Sequence, residues 1–187
     1  MVRIEFVLFF VSAVFAAADK KRVYVDQFPP GTEHFKMPPT VLFSVYMGKL
    51  KYPHLPLLLE SMRWNPQVTF QLINIIEDGS NQADDIVALG QKKMAVDNFK
   101  VKVVTISELR ERVRDRLKID VPFDKTWYYK MCDYKPTMAH LFPELASNQT
   151  YKYWGYGDLD VIWGNFSRFS HWFQGNYHFI ISGKLNC

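Results

Sequence analysis

Three short apolar runs, each followed by a stretch of a different character, constrain the fold of this chain more than any other feature. Residues 41–47 and 68–76 are β-branched and aromatic, and they are apolar on both alternate sets of positions, as strands buried on two faces must be. Residues 101–104 form a shorter run of the same kind. Pro56 can open a helix after the first run, with Leu55, Leu58, Leu59 and Met62 on one side, and Asn65-Pro66 stops it. Asp84 or Asp85 can cap a brief helix through Met94 after the second. After the third, Thr105 and Glu108 form a capping box, with Ile106, Leu109, Val113 and Leu117 at helical spacing. Residues 138–145 read as a further helix behind Pro136, and residues 151–156 as a strand. Strand and helix alternate, which predicts an α/β fold with a mostly parallel sheet and flanking helices. Such sheets bind ligands at the carboxyl ends of their strands, where Gly48, Glu77, Asp78, Asp158 and Asp160 all fall.

The last two of these stand in an unusual setting. Asp158 and Asp160 interrupt an aromatic, apolar run that resumes with Val161-Ile162-Trp163. Carboxylates in such a stretch are costly to desolvate unless a cation or hydrogen-bond donors hold them. On extended backbone the i, i+2 spacing points both side chains to one side, and Gly157 permits close approach of a ligand. Hard oxygen ligands of this kind suit Mg2+ or Mn2+ bridging to phosphate oxygens. An Asp-x-Asp arises about once by chance in a chain of this length, so a solvated turn at a strand end stands as the alternative for the bare motif.

The segment YWGYGDLDVIWGNFSRF resembles the metal-binding region of GT-A-type glycosyltransferases, in which a strand delivers an Asp-x-Asp and an apolar strand follows. KMCDYKPTMAHLFPE, from Lys130 to Glu144, is similar to the block before that motif in one family of polysaccharide sugar transferases. VLFSVYMGKL and PLLLESMRWNPQVTFQLINIIED resemble their first strand, helix and second strand. The resemblance implies a GT-A-like donor-binding domain over residues 40–187, a divalent cation (Mn2+ or Mg2+) and a nucleotide-sugar donor. It assigns Asp160 to direct metal coordination and Asp158 to the ribose or a metal-bound water. It also brings Lys130 or Lys135 to the phosphates or donor sugar, with solvated lysines as the alternative. Glu77 and Asp78 can hydrogen-bond ribose or base, or serve only the turn that Asp-Gly favours. Trp154, Tyr156 and Trp163 can stack on a sugar, although strand aromatics more often fill a core. His171 and His178 are weaker third-ligand candidates.

Composition narrows the alternatives. With 187 residues, 48% hydrophobic and 16% aromatic, the chain can bury a core. A net charge of +4 suits an anionic substrate, and no concentrated basic stripe points to nucleic acid. The densest cluster, Arg110 to Lys118, alternates with Glu108, Glu111 and Asp115 and reads as one solvated helix face. Arg3, a thirteen-residue apolar run from Phe6 and the triplet Ala16-Ala17-Ala18 read as a secretory signal over residues 1–18, followed by a Pro-rich linker over residues 19–39. An uncleaved signal-anchor is the alternative, and only then would the chain meet a membrane. Either address directs it to the secretory pathway, Golgi or ER lumen or secreted, where Asn148, in a polar loop, and Asn165 become N-glycosylation sequons, with enclosure beside the proposed site as the alternative that would leave Asn165 unmodified. Cys132 and Cys187 could pair there, but Cys132 reads as a buried free thiol.

The leading expectation is therefore a metal-dependent transferase moving a sugar to an unknown glycan or other acceptor. A non-catalytic nucleotide- or carbohydrate-binding protein and a metal-dependent hydrolase are the alternatives. Because GT-A enzymes place acceptor contacts well beyond the Asp-x-Asp, the resemblance also leads us to expect a C-terminally incomplete domain that binds a donor and transfers no sugar. Secretory targeting has a direct check. Intact-mass analysis of protein from a secretory host should give a chain starting at or near Asp19, whereas a membrane-bound product retaining Met1 would establish the anchor.

Overall fold

The computed structural model describes residues 6–9, 37–48, 53–80, 96–124, 130–167 and 179–182. Within them lie β1 (Phe6–Phe9), β2 (Thr40–Met47), α1 (Leu55–Arg63), β3 (Val68–Ile76), β4 (Phe99–Thr105), α2 (Ile106–Leu117), the short helices α3 (Met131–Tyr134) and α4 (Met138–Leu141), β5 (Tyr153–Tyr156) and β6 (Phe179–Ser182). The sheet order is β4-β3-β2-β5-β1-β6, with each neighbouring pair parallel. The α/β reading with a mostly parallel sheet and flanking helices is what the structure has. Among the described residues no helix is long and apolar enough to cross a membrane.

Both faces of the sheet are covered, which is why β2 and β3 are apolar on successive residues. Leu42, Phe70, Leu72 and Tyr153 pack with Leu55, Leu58, Leu59 and Met62 of α1 on one face. Val41, Phe43, Ile73, Ile75, Trp154 and Tyr156 pack with Leu109 and Val113 of α2 and with Met138, Leu141 and Phe142 on the other. Half of the expected capping box is present: Thr105 Oγ1 accepts the Glu108 N–H at 3.1 Å, while the Glu108 carboxylate pairs with Arg112. Gly48 closes β2 at φ 89°, with its N–H donating to the Ile75 carbonyl at 2.7 Å.

Several expectations need correction. Residues 138–145 are not one helix. α4 stops at Leu141, and Pro143, which has no N–H to donate, opens a separate 3-10 turn over Pro143–Leu145. The arginines of α2 are not a single solvated face, because Arg112 donates to the Leu141 carbonyl, pairs with Glu108 and Glu144 and lies over the Phe142 ring. Cys132 is a free thiol, but an exposed one. The helix expected between Asp84 or Asp85 and Met94 lies outside the described residues, as do His171, His178 and Cys187. Phe6–Phe9 is a strand between β5 and β6, paired to β6 through four residues. A chain that loses residues 1–18 cannot keep that strand, so the signal and the sheet make opposite demands on one aromatic segment.

The carboxyl end of α1 is tied down by polar groups rather than by apolar contact. Asn98 Nδ2 donates to the carbonyls of Met62, Asn65 and Val68 at 2.8, 2.8 and 2.9 Å, joining the helix end, the turn and the first residue of β3. Asn98→Ala should therefore destabilise the fold by about 1–3 kcal/mol, because partly buried acceptors lose their donor. A lowered urea midpoint with unchanged slope is the expected result.

Candidate functional site

Strand order decides where a ligand can sit. From β2 the chain builds outward through β3 to β4, then returns to lay β5 on the opposite side of β2. The crevice outside the carboxyl ends of β2 and β5 is thus a topological switch point, the preferred ligand position of an open parallel sheet. Register pairs Phe43 with Tyr156, and the Gly157 N–H extends the ladder by donating to the Phe43 carbonyl at 2.9 Å. Ser44 Oγ then donates to the Gly157 carbonyl at 3.0 Å. Both bonds fix the backbone immediately before Asp158.

Beyond Gly157 the chain leaves the sheet, so the two aspartates do not share one side of an extended strand. Leu159 turns into the core against α1, and its carbonyl lies 3.3 Å from His54 Nε2. Asp158 is half-buried and Asp160 exposed. The next segment runs along α1: the Trp163 N–H donates to Ser61 Oγ at 3.1 Å and the Phe166 N–H to Asn65 Oδ1 at 2.7 Å. Asn65 Nδ2 donates to the Ser61 and Gly164 carbonyls at 3.0 and 2.9 Å. The close approach that Gly157 permits is made by the Trp163 ring rather than by a ligand. A Cβ on Gly157 would overlap Trp163 Cη2 and stand 2.9 Å from its Cζ2. Trp154, Tyr156 and Trp163 are all buried core residues.

Lys135 is the unexpected member of the site. It sits in a single 3-10 turn, Lys135–Thr137, and is 8% exposed, with its Nζ paired to Asp158 Oδ1. Burial works against its charge, and the Asp158 carboxylate more than offsets that, so the Lys135 pKa lies above the usual lysine range. Burial also lifts the Tyr156 phenol above its ordinary value. Lys130, by contrast, is exposed and pairs with Asp133 at 3.8 Å.

The remaining candidates divide. Glu77 is exposed at the end of β3. Asp78 accepts from Ser107 Oγ at 2.8 Å, and that hydrogen bond holds its carboxyl below the usual range. Asp78 thus fastens the end of β3 to the first turn of α2. Asn148 lies exposed in the turn before β5, and Asn165 is exposed beside α1. Asn74, not among the expected site residues, is fully buried on β3 in register with Tyr46 and Val103, with neither amide atom hydrogen-bonded among the described residues. Its signal was a lone amide inside Leu72-Ile73-Asn74-Ile75-Ile76. Among the described residues no three His, Cys, Asp or Glu side chains gather at one point. Mg2+ and Mn2+ need only one or two protein carboxylates when phosphates complete the coordination, so a site there would rest on Asp158 and Asp160 alone.

Crowding at Gly157 predicts that Gly157→Ala costs about 1–3 kcal/mol, the usual range for overpacking a core. Trp163→Leu in the same chain should recover part of that loss, since residues in contact are not additive. Chemical denaturation of the two single variants and the double variant measures the coupling.

Comparison with curated proteins and with solved structures finds no match. One family model does match, over residues 42–183, from β2 to just beyond β6. It describes a family of unknown function, DUF6625, and the chain belongs to that family.

Proposed function

We propose that this protein is a glycosyltransferase-like protein of the secretory pathway that binds a nucleoside-diphospho-sugar together with a divalent cation at the switch point between β2 and β5, the donor half of a sugar transfer to a glycan or other acceptor. The observation that carries the reading is the meeting of Lys135 with Asp158 at that edge, two residues before the exposed Asp160. Asp160 supplies a carboxylate to the cation, and Asp158 serves the ribose or a cation-bound water. Glu77, exposed at the neighbouring strand end, would accept from a ribose hydroxyl. The cation, when bound, supplies positive charge against the departing diphosphate.

Lys135 gives the site its charge logic. Without a ligand its ammonium is balanced by Asp158. A diphosphate offers Lys135 a second anionic partner, and a cation offers Asp158 a second positive one. Both partners can then be exchanged without leaving a buried charge uncompensated, which is the arrangement that costs least. Preorganised positive charge at the diphosphate is worth most during the bond-breaking step, when negative charge grows on the leaving group.

Calorimetric titration of a nucleoside diphosphate with and without Mn2+ tests the reading. Asp160→Ala should abolish Mn2+-dependent binding, and Asp158→Ala should weaken it. Lys135→Met should weaken it as well, through the lost phosphate contact and an unpaired Asp158. Equal binding with Mn2+ and with EDTA would remove the metal from the site. Incubation with a panel of nucleotide-sugars, with and without glycan acceptors, then separates transfer from binding alone.

A further inference from the structure

A groove of about 490 Å3 runs along α1, between the helix and the segment that returns along it, and Ile162, two residues after Asp160, is among its lining residues. Leu57, Glu60 and Trp64 line one side, and Ile162, Gly164 and Asn165 the other. Leu57, Trp64 and Ile162 are 54%, 70% and 38% exposed, and they are three of the four large hydrophobic side chains exposed among the described residues. Trp64 is not loosely displayed. Its Nε1 donates to Glu60 Oε1 at 3.2 Å, which holds the indole at the mouth of the groove. Three exposed apolar side chains thus stand around one groove.

The groove's own rim names the cover. Asn165 begins the sequon Asn165-Phe166-Ser167, and it is exposed where it lines the groove. Its Oδ1 accepts both the backbone N–H of Ser167, at 2.9 Å, and the Ser167 hydroxyl. The amide nitrogen, the atom to which a glycan is joined, is left without a hydrogen-bond partner among the described residues. Phe166 is buried, and its N–H is fixed by Asn65, so the backbone carrying Asn165 is held rigidly against α1. The Asn65 bond to the Gly164 carbonyl sets this rim beside the turn that leads into β3, at the amino end of the sheet.

We infer that Asn165 carries an N-linked glycan whose first sugars lie in this groove, with their C–H faces over Trp64 and Leu57 and their hydroxyls toward Glu60. A sugar ring has the required amphipathic shape, apolar on its faces and polar at its edge, and an indole face complements it. The glycan would thereby cover apolar surface that the polypeptide leaves open. This is independent of the nucleotide-binding reading and depends only on targeting to the secretory pathway, for which Asn148 is an internal control.

Full-length protein expressed in a eukaryotic secretory host, digested and treated with a peptide N-glycosidase in heavy-oxygen water, reports occupancy at each asparagine. Asn165 should be modified, and both Asn165→Gln and Ser167→Ala should lose one glycan, while Ser167→Thr retains it. The unglycosylated variants should bind more of a hydrophobic dye than the parent, and adding Trp64→Ser should cancel the increase. Modification of Asn148 with Asn165 bare would overturn the inference and leave secretory targeting intact. No modification at either asparagine would overturn both. A glycan at Asn165 whose loss leaves dye binding unchanged would overturn its placement in the groove.

Discussion

The insertion of β5 beside β2 is the contact on which the site depends. Four residues of parallel pairing, extended by the Gly157 N–H to the Phe43 carbonyl, bring a late segment of the chain against its earliest core strand. A parallel pair needs a long crossover, and here the intervening residues build β3, β4 and α2 on the way out and the short helices on the way back. The carboxyl end of β5 therefore arrives where the neighbouring crossovers diverge. Asp158 lies there because Gly157 is the last residue that the ladder can hold.

Beyond Asp158 the path of the backbone is governed by α1. Ser61 and Asn65, both buried, capture the backbone of Trp163, Gly164 and Phe166, while Asn98 captures the end of the helix and the turn behind it. Buried polar groups are costly unless satisfied, and satisfied ones specify a single arrangement. These amides and this hydroxyl fix where Trp163 lies, and Trp163 in turn occupies the space that a side chain at position 157 would need. The Lys135–Asp158 pair is set by the same frame. A lysine this buried keeps its charge only beside a carboxylate, so the pair couples the turn after α3 to the end of β5.

Much of this was legible in the residues. The bounds of β3, the capping of α2 by Thr105 and the buried face Leu55, Leu58, Leu59 and Met62 all follow from local periodicity and end signals. The break at Pro143 was equally local and was passed over in favour of the apolar pattern around it. Other features left little local trace. Nothing in Asn65-Pro66 beyond a helix stop announces that Asn65 bonds residues about a hundred positions later. The i, i+2 rule for Asp158 and Asp160 holds only while the strand continues, and β5 ends at Tyr156, with Leu159 buried against α1.

The sequence by itself determined the class of fold. Apolar runs buried on two faces, separated by helical periodicity, admit few solutions other than a parallel sheet between helical layers. It also marked the strand ends as the place for polar chemistry. Tertiary structure alone decided which of those ends meet. Lys135 was one of two equivalent lysines until burial and Asp158 distinguished it from Lys130, and only the fold joins Asp78 to Ser107. Likewise, Trp64 and Asn165 share a groove only because buried hydrogen bonds lay the later segment along α1. Periodicity is written in neighbouring residues, whereas these contacts arise between segments brought together only by strand order, and no local pattern encodes them.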